Sequence, residues 1–187
     1  MIFMKILNRI LFVSISVFFI SCKARKENPV ITDEVADRAV AYYDSISYEF
    51  NLYQPVQQKF IDKLAMAQLK LNDDRDATID TTELLDLFDT AWANNRTRLD
   101  RIQRITEVDT VLNYKAKIIT YIKHLNGIYE KEIKDYIYIL GNKQVDRFQK
   151  YNEHLLPKLA ELKNLGETFK ALQPEFKNKY NFTTPAN

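Results

Sequence analysis

Between residues 72 and 83, oxygen-bearing side chains recur at alternating positions and close on a glutamate: Asn72, Asp74, Asp76, Thr78, Asp80 and Glu83. Carboxylate and carbonyl oxygens converging from one tight loop are what a hard cation such as calcium needs. The same residues could instead start a helix, with Asp80 or Thr81 as N-cap and Glu83 in the first turn. Cys22 is the only cysteine, so no disulfide can form within the chain and its thiol is open to modification. Polar residues also interrupt otherwise apolar rows at Gln57, Asn95 and Asn152, with Asn126 at a similar depth. They could form one hydrogen-bonded layer that fixes helix register, flank a ligand cavity, or point partly to solvent.

The loop 72–83 resembles the twelve-residue calcium loop of EF-hands, in which Thr78 would contribute its carbonyl and Ile79 would pair with a sister loop. It departs from that pattern in having Ala77 at the glycine position, Asn72 in place of a first aspartate, and no second loop in the chain. A Cβ at a left-handed position costs on the order of 1 kcal/mol.

Catalytic signatures are sparse. His124 and His154 fall on different expected helices without carboxylates at metal-ligand spacing, and no glutamate precedes a histidine by three residues as di-iron bundles require. Gly-x-Ser-x-Gly and phosphate-loop patterns do not occur. An enzyme is therefore the remotest expectation. Tyr114 and Tyr121, like Tyr129 and Tyr136, are seven residues apart, which suits either an exposed ridge for glycan or protein, or rings at the core boundary with wet hydroxyls.

The elements that must position these groups are helices. Only three glycines occur, at 127, 141 and 166, which disfavours hairpin turns. Apolar residues follow a 3–4 rhythm: Ala39, Tyr43, Ile46, Phe50 and Tyr53 through Phe60, Leu64, Ala67 and Leu71; then Leu84, Phe88, Trp92, Leu99, Ile102 and Ile105. A third stripe, from a helix starting near Asp109, runs from Leu112 and Ile118 to Leu140. A fourth follows the stop at Gly141-Asn142 and runs from Val145 to Phe169. Long helices with short connections predict an all-α, up-down-up-down antiparallel four-helix bundle over 32–180, kinked near Pro55 and Pro157. Helices two and three could be continuous, since no Gly or Pro separates them; a break is the expected arrangement.

The first 21 residues have a different character. Lys5 and Arg9 precede an apolar run, Ile10 to Ile20, about half the ~20 residues a membrane span needs, and Ser21-Cys22-Lys23 follows. This plan resembles the lipobox of bacterial lipoproteins, with Phe19 where leucine is more usual. The resemblance implies a signal peptide at 1–21, cleavage before Cys22, and diacylglycerol plus an amide-linked acyl chain (palmitate or similar) on that residue. Removing the leader takes Lys+Arg from 27 to 25, equal to the 25 acids. The mature chain has no basic excess to favour nucleic acid.

Residues 22–31 then form a polar tether of up to ~33 Å, and 181–187 a frayed tail. The long-helix pattern with the Ser-Cys-Lys junction is similar to uncharacterised helical lipoproteins of Bacteroidetes and spirochaetes. It implies a protein anchored to the cell envelope through lipid. By that resemblance Lys23 favours the outer membrane over the inner, and the missing acidic run favours the periplasmic side over the cell surface. The expected function is non-enzymatic binding or support of another envelope component, protein or glycan. A calcium-responsive binding module using loop 72–83 is the alternative; otherwise no cofactor is expected.

Overall fold

The protein is described by a computed structural model covering residues 31–74, 76–142 and 145–182, excluding the side chains of 145–150 and 152. The expected leader, Cys22 and its tether up to residue 30, the Asn152 side chain, and 183–187 lie outside the described residues.

Among the described residues the fold is all-helical. α1 spans Asp33–Asn51, α2 Gln54–Asp73, α3 Thr82–Arg104, α4 Tyr114–Ile128, α5 Lys134–Gly141 and α6 Val145–Lys179; a π-helical turn, Tyr129–Ile133, joins α4 to α5. The first apolar stripe, expected to be one helix, is interrupted at Leu52-Tyr53. Pro55 accounts for the place: it lacks the N–H that would bond the Asn51 carbonyl, yet fits the first turn of a new helix. The second and third helices are separate. Ile105–Asn113 is a linker that Asn113 closes at φ 53°, and the third helix starts at Tyr114 rather than near Asp109. α6 continues through Pro157 and also through Pro174.

The stripes pack as a bundle. α4 meets α6 most extensively, α2 and α4 both pack on α3, and α1 also packs on α3. Rings close the remaining side, where Tyr42 and Tyr43 of α1 meet Phe176 of α6 at 5.6 and 6.0 Å. Fully buried Phe176 also contacts Tyr114, Tyr180 and Phe182. Truncating such a residue to alanine costs about 3–5 kcal/mol. The chain thus stays packed through Phe182, two residues into the segment expected to fray. Tyr114, Tyr121, Tyr129 and Tyr136 are all buried, so they form core and no exposed ridge.

Gly141 ends α5 for a reason other than backbone freedom. Its φ is negative, but a Cβ there would meet the Thr81 methyl at 2.6 Å. Glycine permits the close approach of α5 to the start of α3.

Candidate functional site

The break in the first stripe creates the most unusual chemistry in the body. α1 ends with no basic residue in its last turn, leaving the negative end of its dipole uncompensated. Arg98 supplies the cation from α3: its Nη1 donates to the Phe50 carbonyl at 3.0 Å, and its guanidinium lies 5.1 Å from the Phe50 ring centroid. Arg98 Nη2 also donates to Asn95 Oδ1, which accepts a second bond from Gln57 Nε2. Arg98 and Asn95 are buried. Burial pushes the guanidinium pKa down to about 10, and no carboxylate forms an ion pair with it among the described residues.

Of the four polar residues singled out in the sequence, the structure therefore joins Gln57 and Asn95 directly. Asn126 is half-buried on α4, and its Oδ1 has no hydrogen-bond partner among the described residues. Arg98 is the member that the spacing argument missed. The buried row of α3 is Leu84, Phe88, Ala91, Asn95, Arg98 and Ile102, an unbroken 4-3-4-3-4 series. Choosing the apolar Trp92 and Leu99 steps over it; these two are only partly buried.

The loop after α2 places its oxygens against lysines. Lys70 Nζ donates to the Thr78 carbonyl at 3.1 Å, and Lys63 pairs with Glu83. Asp74 Oδ1 accepts from the Asp76 N–H at 2.9 Å, and Asp80 Oδ1 from the Thr82 N–H at 2.9 Å. The latter bond takes up the first N–H of α3 from one residue ahead of the N-cap Thr81, and it holds the Asp80 carboxyl below the usual carboxylate range. Asn72, Asp74, Asp76, Thr78 and Asp80 are exposed, while Ala77 and Ile79 are buried and pin the loop to the core. Two oxygens that a cation would use thus already face ammonium groups. No cluster of three or more His, Cys, Asp or Glu suited to a metal ion occurs among the described residues.

A second ionic site was not visible in the sequence, because its members come from facing helices. Glu132 is buried in the π-helical turn and pairs with Lys158 of α6, with His154 Nε2 3.5 Å from its other oxygen. The Glu132 carbonyl accepts from the Tyr151 hydroxyl, and the Tyr151 ring stacks on Tyr136 at 5.6 Å. Burial, reinforced by Glu132, pushes the Tyr151 phenol well above its ordinary range. His124 likewise has a carboxylate partner, Glu161, at 3.7 Å.

At the other end of the bundle, the α3–α4 linker is tied down by acids. Asp109 Oδ1 accepts from the Val111 and Leu112 N–H groups at 2.9 and 3.1 Å, and Oδ2 from Lys179 Nζ at 2.6 Å. Burial alone would raise the Asp109 pKa, but these hydrogen bonds outweigh it and hold the carboxyl below its ordinary value. Glu107 accepts from the Tyr42 hydroxyl, and Lys115 donates to the Ile105 carbonyl at 2.7 Å.

Comparison with known protein families, with curated proteins and with solved structures finds no match in any of the three. No described helix is long and apolar enough to cross a membrane.

Proposed function

We propose that this chain is a lipid-anchored, non-enzymatic envelope protein whose helical body binds or supports another envelope component, a protein or a glycan. In this reading residues 1–21 are removed, Cys22 carries the acyl chains, and the body stands on the periplasmic side of the outer membrane. The body is an up-down-up-down bundle bent near Pro55 and Pro157. The observation that carries the reading is the distance in sequence between thiol and packed body. α1 begins at Asp33, so only residues 23–32 separate it from Cys22, and ten residues reach at most ~33–36 Å. Such a tether would confine the body to partners near the membrane. The buried ion pairs support a structural role for the body's ionisable groups, since Glu132 and Asp109 are each engaged within the fold. The lysines facing Thr78 and Glu83 favour a module that works without calcium.

Two measurements test this. Cells expressing the full chain are fed an alkyne-tagged fatty acid; the wild type should take up label and Cys22→Ser should not. Crosslinking followed by purification of the lipidated protein should capture one reproducible envelope partner. An unlabelled wild type would end the anchoring claim, and an anchored protein with no partner would end the binding claim.

A further inference from the structure

We propose that the break between α1 and α2 is a binding site for a small monovalent anion of the halide class, held by Arg98 Nε and Asn95 Nδ2. The site belongs to the helical body and does not depend on how the chain is anchored. Arg98 and Asn95 are 1% and 0% exposed. Arg98 Nη1 and Nη2 donate to the Phe50 carbonyl and to Asn95 Oδ1, and both of these acceptors are neutral. Arg98 Nε and Asn95 Nδ2 are buried donors with no hydrogen-bond partner among the described residues. Leaving buried donors unmet is costly, and leaving a buried charge without a counter-charge is more so. Both unmet groups of the cluster donate, and one carries a positive charge, so what completes it is an acceptor with a negative charge.

The helix ends at the break favour the same sign. α2 begins at Gln54 with no side-chain cap and no acid in its first turn. Gln57 in that turn donates to Asn95, so the positive end of the α2 dipole abuts the cluster. It offsets the negative end of α1 across the break, and the guanidinium charge is left over. Glu49, the carboxylate nearest to Phe50 in sequence, turns to Arg101 at 3.5 Å. The ionisable groups that act on Arg98 are the phenols of Tyr53, Tyr121 and Tyr129, which are neutral near pH 7. The depth of Arg98 and Asn95 admits a bare ion and no extended ligand. The way in is short, since Leu52 and Pro55 at the break are exposed.

The test uses the full chain. Urea unfolding is followed at constant ionic strength while sodium gluconate is replaced by sodium chloride. The wild type should gain stability, and above the dissociation constant each tenfold rise in chloride should raise the folding equilibrium constant tenfold, as one site requires. Asn95→Asp keeps the oxygen that accepts from Arg98 and Gln57 and supplies the negative charge from within. Its unfolding midpoint should not move with chloride, and neither should that of Arg98→Met. Crystals soaked in bromide should show an anomalous peak beside Arg98 Nε. A chloride effect of equal size in the wild type and in Asn95→Asp is a general salt effect and overturns the site, as does a wild type indifferent to chloride. A water in place of the bromide peak, joining Asn95 to the equally unpartnered Oδ1 of Asn126, overturns the anion as occupant.

Discussion

The Arg98 guanidinium closes the C-terminal end of α1 by donating to the Phe50 carbonyl, across 48 residues of sequence. A buried cation normally demands a buried anion. Here its compensation is a helix-end carbonyl, the α1 dipole, the Phe50 ring and Asn95.

That arrangement predicts an order of substitutions. Arg98→Lys keeps the charge but loses the fork that reaches Phe50 and Asn95 together, and should cost about 2–4 kcal/mol. Arg98→Met removes both the charge and its desolvation penalty while filling much of the space, and should lie closer to wild type. Urea unfolding of the pair checks the order. A lysine variant more stable than the methionine variant would show that charge, not fork geometry, is what the site holds.

Gly141 and Thr81 should behave as one unit. Gly141→Ala places a methyl against the Thr81 methyl and should destabilise by about 1–3 kcal/mol. With Thr81→Ala the clash disappears, so the double variant should recover most of that loss. A double-mutant cycle measures the coupling, and additive effects would refute the contact.

Stability should fall at both extremes of pH. The folded Asp109 carboxyl is depressed, so its contribution is complete above the ordinary carboxylate pKa and is lost as pH falls through the lower folded value. Asp109→Asn should flatten the acid limb of stability against pH. Tyr42, Tyr114, Tyr129 and Tyr136 are raised, chiefly by burial. Their contribution is present below about pH 10, the ordinary phenol pKa, and is lost as pH rises through the higher folded values. Ultraviolet titration should therefore show most phenolate appearing together with unfolding; early, gradual ionisation would contradict the burial.

Calcium should give no heat in calorimetry below about millimolar ion, the weak end of the range for extracellular modules. Removing the competing ammonium groups with Lys63→Gln and Lys70→Gln should strengthen binding by about tenfold or more if the loop oxygens can converge. Unchanged weak heats in the double variant would leave Asp80 an acceptor for the first N–H of α3 and nothing else.

The all-helical class and most core rows could be read from spacing, because helical burial repeats every three to four residues whatever the details. Pro55 marked the neighbourhood of the first break. Its consequence for Arg98 was hidden, since the acceptor is a backbone carbonyl and a residue-type pattern contains no carbonyls. Glu132 was hidden for a related reason. Its partners Lys158, His154 and Tyr151 sit on another helix, and only the packing sets which residues of facing helices meet. The polar layer was half visible: Gln57 and Asn95 interrupt apolar rows, but Arg98 occupied a position that a hydrophobicity pattern assigns to solvent.

The Lys179–Asp109 bridge has a consequence for how this chain ages. The last turn of α6 clamps a linker seventy residues upstream, and Phe182 packs its ring against Tyr43 of α1. A cleavage that removed Lys179 and Phe182 would take both contacts away. It would unlatch the linker around Asp109, so that damage at the last turn of α6 is felt as a new cleavage site seventy residues upstream.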